Sequence, residues 1–152
     1  MANKRDLARA RSGANPMILR GADLSGADLH DLDFRDADFC GANLDSADLS
    51  GANLRGADLK GASLRSTLLD SANLQGASLR GALAIDAHFF NANLQGADLS
   101  GARLTAAHLE AADLFQAKLR GAEIEGASFD YGYWAEADFA GVAGTARSRF
   151  RR

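Results

Sequence analysis

From Met17 to Phe139 an apolar residue recurs at every fifth position, beginning Leu19, Leu24, Leu29, Phe34, Phe39, with no insertion or deletion. Of these 25 positions 17 are Leu, and the residue two places before each is Ala in 21 of them, the exceptions being Met17, Leu32, Thr67 and Gly132. Five residues of α-helix turn the chain by about 500°, which would smear the apolar set around the axis and leave no core face. In a flat strand an odd period would move the apolar residue from one face to the other at each repeat. The pattern fits a short extended stretch, in which Ala and Leu point the same way, followed by a bend over the remaining three residues.

That bend should be rich in Gly, and the position two after the apolar centre is Gly in 13 of 25 repeats. Gly21, Gly41, Gly61, Gly81, Gly101, Gly121 and Gly141 form an unbroken series at twenty-residue spacing. Twenty residues are four pentads, so one turn of the predicted solenoid has four sides. Stacked at an inter-strand spacing of roughly 4.8 Å, a little over six such coils make a rod about 30 Å long.

Segments such as Ala22-Asp23-Leu24-Ser25-Gly26, Ala52-Asn53-Leu54-Arg55-Gly56 and Ala97-Asp98-Leu99-Ser100-Gly101 resemble the pentapeptide-repeat family, whose motif is Ala-Asp/Asn-Leu followed by any two residues. The resemblance extends over about 125 of the 152 residues. It implies an all-β, right-handed quadrilateral β-helix with the Leu/Phe and Ala rows inside. The chain then divides into an N-terminal cap over residues 1–15, the β-helix over 16–141 and a basic, flexible C-terminal tail over 142–152. The cap is expected to be a short helix from Asn3 to Arg11, with Asn3 as N-cap and Gly13 as terminator. At the far end Phe129, Tyr131, Tyr133, Trp134 and Phe139 gather in one coil, as an end cap or a dimer contact.

The composition, 47% hydrophobic and 24% charged, is that of a folded chain. A single cysteine, Cys40, allows no intrachain disulfide, and no apolar run is long enough for a signal sequence or a membrane span. A cytoplasmic location without membrane contact is expected. No Gly-Lys pair, Gly-x-Gly or Gly-x-Ser-x-Gly occurs, so phosphate-loop, dinucleotide and nucleophile-elbow chemistry is absent and neither an enzyme nor a cofactor is expected. His88 and His108, with Glu110 nearby, fall short of the three or four convergent ligands of a zinc centre, and no metal is expected. The Asp or Asn before each Leu is read as a side chain bonding backbone at the bend.

The formal charge of −3 conceals a partition. Residues 21–140 hold 8 Lys/Arg against 19 Asp/Glu, net −11, and the two ends hold 9 Lys/Arg against Asp6, net +8. With Leu19, Leu24, Leu29 and Phe34 opening faces one to four, face three carries Asp28, Asp31, Asp48, Asp70, Glu110 and Asp130 and no Lys or Arg, a purely acidic wall. Six charges over about 30 Å is one per ~5 Å, against one per ~1.7 Å on duplex DNA. Leu68, Leu83, Ile85 and Phe90 fall at outward positions near the meeting of faces two and three, around the small centre Ala84. They form a partner patch, or else a bulge in which Leu83 or Ile85 turns inward to fill the space Ala84 leaves.

These features describe a non-enzymatic rod acting as a protein-interaction scaffold or regulatory module for an unidentified protein partner. The shaft itself is not expected to bind nucleic acid. The family resemblance supplies an alternative, a DNA mimic that binds type II topoisomerase (DNA gyrase), confers quinolone resistance and dimerises through the C-terminal coil. The unbroken register of residues 17–141 leaves no room for the loops that project from the plasmid-borne resistance members.

Overall fold

The structure, a computed structural model, describes residues 2–14 and 16–151. Parallel backbone bridges join residue i to residue i+20 at every fifth position, from Ile18 with Asp38 to Glu123 with Ala143. The four-sided solenoid follows directly: each side contributes one bridging residue and a corner, and no side is long enough to make a conventional strand. Around Leu44 the pattern is explicit. Leu44 N–H donates to Ser63 O at 2.8 Å, Ser63 N–H donates back to Ala42 O at 2.9 Å, and Ala47 N–H closes the corner on Leu44 O at 2.9 Å.

All 25 corner residues have positive φ, the 13 glycines and also Asp31, Asp36, Ser46, Ser66, Ser71, Asp86, Asn91, Ala106, Ala111, Gln116, Tyr131 and Glu136. A tight turn with left-handed backbone at its third residue is the type II arrangement, which accounts for the glycine preference. At twelve corners the stack imposes that conformation on residues with a Cβ. The Asp/Asn positions work as their place before the centre suggests. Asp38 Oδ1 accepts from Cys40 N–H at 3.0 Å, Asp58 Oδ1 from Lys60 N–H at 3.0 Å, and Asn93 Oδ1 from Gln95 N–H at 3.0 Å, so each carboxylate or amide ties down the bend that follows it.

The interior is a set of columns in which the inward positions from Met17 to Phe129 are buried, except Leu32, which stays partly exposed. Ala84 sits in its column with no exposure, and Ala84 N–H donates to Arg103 O at 2.8 Å, so the ladder runs through this coil without an extra residue. No bulge forms. Leu83 and Ile85 stay on the outer surface as half-buried side chains. Thr67, another departure from Ala, is fully buried and its hydroxyl donates to Leu44 O at 2.8 Å.

Both ends are closed. Helix α1, Lys4–Ala10, begins at Asn3, whose side chain accepts from the Arg5 and Asp6 amides. The helix also satisfies the free edge of the first coil: Asn3 N–H donates to Asp23 O at 2.8 Å, Asp6 Oδ2 accepts from Asp23 N–H at 3.0 Å, and Arg11 Nη2 donates to Asp28 O at 2.7 Å. At the other end, the segment expected to be a flexible tail continues the stack. A 3₁₀ turn, Thr145–Arg147, slips the register by one residue so that Ser128 bridges Arg149 instead of residue 148. Phe129 N–H then donates to Arg149 O at 2.7 Å, and Phe150 comes to lie on the open end of the core.

Candidate functional site

The surface follows from the columns. Side chains before and after each buried centre stand outward, so residues twenty apart align on one face and residues 18 or 22 apart meet on the diagonal. On face one Arg20 pairs with Asp38, Arg80 with Asp98 and Arg120 with Asp138, always an Arg with an Asp 18 residues later. The hydrogen bond to Arg120 holds the Asp138 carboxyl below its usual range. At Asp38 the largest such influence is the Cys40 amide. Face one is therefore charged but self-neutralised.

Face three is less acidic than its sequence suggests. Asp130 is 2% exposed, pairs with Arg149 Nη2 at 2.7 Å and accepts from the Arg151 amide at 2.9 Å. The absence of Lys and Arg from this wall is corrected by the slipped coil, which brings Arg149 into the face-three ladder. Asp28 lies 2.5 Å from His30 Nδ1. Their hydrogen bond lowers the Asp28 pKa and raises that of His30. Glu110 lies 3.5 Å from His108 Nδ1. Asp31, Asp48 and Asp70 remain without a cationic partner within ion-pair distance among the described residues, although Asp48 accepts from the Ser50 amide and Asp70 from the Phe90 amide.

The apolar patch divides in the same way. Leu68, Leu83 and Ile85 are half-buried between their column neighbours, whereas Phe90 is 55% exposed. The aromatic coil also splits. Phe150, in the segment expected to be a tail, stacks on Phe129 with centroids 4.7 Å apart and planes 1° from parallel, and meets Trp134 and Phe139 edge to face at 5.8 and 5.9 Å. These four rings close the end of the core. Tyr131 and Tyr133 point away from it, 70% and 56% exposed, and Tyr133 stacks on Phe115 at 5.9 Å. Tyr131, Gly132, Tyr133, Trp134 and Ala135 line an open hollow of about 600 Å³. The signal for Phe150 was available: it is the only large apolar residue close to one coil beyond Phe129, displaced by a single position.

Among the described residues no helix is long and apolar enough to cross a membrane. A comparison with curated proteins gives no match. Among solved structures, the chain is similar to HetL from the cyanobacterium Nostoc sp. strain PCC 7120, a pentapeptide repeat protein involved in heterocyst differentiation regulation. The two are 35% identical over 84% of this chain and 70% of that one, with a TM-score of 0.47. Rfr23 from the cyanobacterium Cyanothece 51142 is 23% identical over 88% of this chain and 90% of its own, with a TM-score of 0.52. QnrB1, a plasmid-mediated fluoroquinolone resistance protein, is 20% identical over 83% and 86%, with a TM-score of 0.53. The family model for pentapeptide repeats matches residues 18–56, 47–83 and 85–121 in eight copies. With the pentad period, the i to i+20 ladder and this match over more than half its length, the chain belongs to the pentapeptide-repeat family of right-handed quadrilateral β-helices.

Proposed function

We propose that this chain is a non-enzymatic cytosolic binding rod that engages a protein partner through the surface at its C-terminal coil. The observation that carries the reading is the pair of exposed tyrosines, Tyr131 and Tyr133, around an open hollow beside Trp134. Tyrosine and tryptophan supply large, stiff contact area with a polar tip, and exposed aromatic clusters of this kind mark interaction surfaces. The rest of the shaft is well suited to holding that surface rigidly, since every coil is tied to the next by backbone bonds. The test is an affinity purification from native cytosol with wild type, Tyr131→Ser/Tyr133→Ser and Asp31→Lys/Asp48→Lys/Asp70→Lys in parallel. A protein recovered by wild type and by the acidic-face variant but lost with the tyrosine variant supports the reading. Retention by the tyrosine variant overturns it. A second copy of the chain is one admissible partner, and sedimentation of the same variants reads it directly.

The alternative, a DNA mimic acting on a type II topoisomerase, is favoured by one observation, the row of Asp31, Asp48 and Asp70, which has no cationic partner within ion-pair distance among the described residues. Attraction by charge mimicry weakens steeply as salt rises and competes with duplex DNA. Gyrase supercoiling with added protein decides it: inhibition by wild type that disappears in the Asp31, Asp48, Asp70 variant supports the mimic, and unchanged supercoiling excludes it.

A further inference from the structure

We propose that Asp86, His88 and His108 form a binding site for a divalent transition-metal ion of the zinc class on face three. Ligand atoms of the three all lie within 4.8 Å of one another. The rings of His88 and His108 stand on successive coils with centroids 4.7 Å apart and planes tilted by 39°. The fold makes this juxtaposition obligatory, because the backbone bridge between residues 88 and 108 places both side chains at the same outward position. Asp86 joins them from the preceding corner, where its φ is 55°. Its Oδ1 lies 3.9 Å from His108 Nε2, while Oδ2 accepts from the Ser66 hydroxyl at 3.1 Å on the coil before.

A carboxylate also stands near the second nitrogen of His108, as a ligating histidine commonly has. A neutral imidazole presents a lone pair on one nitrogen and a hydrogen on the other, and the partner of the second fixes which is which. Glu110 Oε1 lies 3.5 Å from His108 Nδ1, within ion-pair reach, so that a small rotation closing this contact would put the hydrogen on Nδ1 and leave the Nε2 lone pair facing Asp86. That is the carboxylate–histidine–metal order, in which the outer carboxylate raises the ligand's basicity. Two donors about 2.1 Å from a common tetrahedral ion stand ~3.4 Å apart. Donor atoms within 4.8 Å of one another therefore close by no more than about 1.4 Å, through rotations of surface side chains. Two imidazoles and one carboxylate suit zinc and its neighbours, with water completing the shell, and do not suit the all-oxygen preference of magnesium or calcium.

The experiment titrates Zn²⁺ into the full chain and follows the three histidine side chains by NMR. Saturable binding of one equivalent, with His88 and His108 shifting together while His30 stays fixed, is the expected result. His30 lies in a different coil, paired with Asp28, and serves as an internal reference. His88→Ala and His108→Ala are each expected to weaken Zn²⁺ by more than about tenfold, and Glu110→Gln by about ten- to a hundredfold although Glu110 is not a ligand. His30→Ala should leave the affinity unchanged. Zn²⁺ affinity retained in the His88→Ala/His108→Ala variant overturns the site, as does the absence of saturable binding in wild type. Should that variant lose its circular dichroism, the wild-type titration decides: shifts confined to His30, or spread equally over all three histidines, also overturn it.

Discussion

The positive φ at every corner leads to a paired test, Gly61→Ala against Ala106→Gly. Gly61 has φ 63° and nothing within 4 Å of where a Cβ would stand, so substitution there meets no steric obstacle beyond its own backbone. A Cβ in the left-handed region costs about 1–2 kcal/mol. Replacing Gly also removes conformational freedom from the unfolded chain, which returns about 0.4–1 kcal/mol. The net effect of Gly61→Ala is therefore a loss of about 1 kcal/mol. At Ala106, with φ 57°, the same quantities run in reverse and Ala106→Gly stabilises by up to about 1 kcal/mol. In a chain of this length each kcal/mol moves the melting temperature by about 2–4 °C, so thermal denaturation followed by circular dichroism resolves the pair. Gly61→Asn should fall between Gly and Ala, because asparagine tolerates the left-handed region, as Asn91 does at φ 55°. A packing explanation does not produce that order. If both changes destabilise equally, or if Gly61→Ala is neutral, the corners do not have the handedness described.

Two further outcomes are expected. Leu64→Asp, which puts a carboxylate into a column with no exposure, should cost more than about 4 kcal/mol or prevent soluble expression, whereas Arg65→Asp next to it, on the outer surface, should be tolerated in denaturant titrations. The His30 pKa is raised by its hydrogen bond to Asp28, so an NMR titration should place it above an ordinary histidine and Asp28→Asn should bring it back down. Because the folded-state value is the higher one, the stabilisation from this pair is fully present below the unfolded histidine's pKa and is lost as pH rises through the folded value. Stability curves of wild type and His30→Ala should therefore converge on the alkaline side.

The coil was legible because one spacing served two purposes. Glycine at Gly21, Gly41, Gly61 and onward marked the corner, and the same twenty-residue step reappears as the ladder from Ile18 with Asp38 to Glu123 with Ala143. Composition could not show that Ala106, Ala111 and Gln116 would take the glycine conformation, since their local preference opposes it and only the pairing of adjacent coils enforces it. The C-terminal coil was obscured for a related reason. Thr145–Arg147 inserts one residue, and a strict five-residue count beyond Gly141 then puts Arg149 at an inward centre and Phe150 at the outward position after it. Their basic neighbours made the segment look like a solvated tail, although Phe150 caps the core.

Charge was harder to read than fold because the sequence was sorted by face while ion pairs form between coils. A face tally assigns Asp130 to an acidic wall, but the side chain that neutralises it is Arg149, 19 residues on, and the Arg–Asp pairs of face one sit at an offset of 18. In a solenoid with a twenty-residue turn, offsets between 18 and 22 are contacts, just as offsets of three and four are in a helix. On that lattice Asp86 and His108, 22 apart, are neighbours, and His88 lies between them at the aligned step. Counting His88, His108 and Glu110 by proximity along one face found the two imidazoles and the outer carboxylate but missed Asp86, because Asp86 occupies a corner that the pentad rule reserves for glycine. The departures from the repeat are thus where chemistry can be carried, since the regular positions are already committed to the core or to tying down the bends.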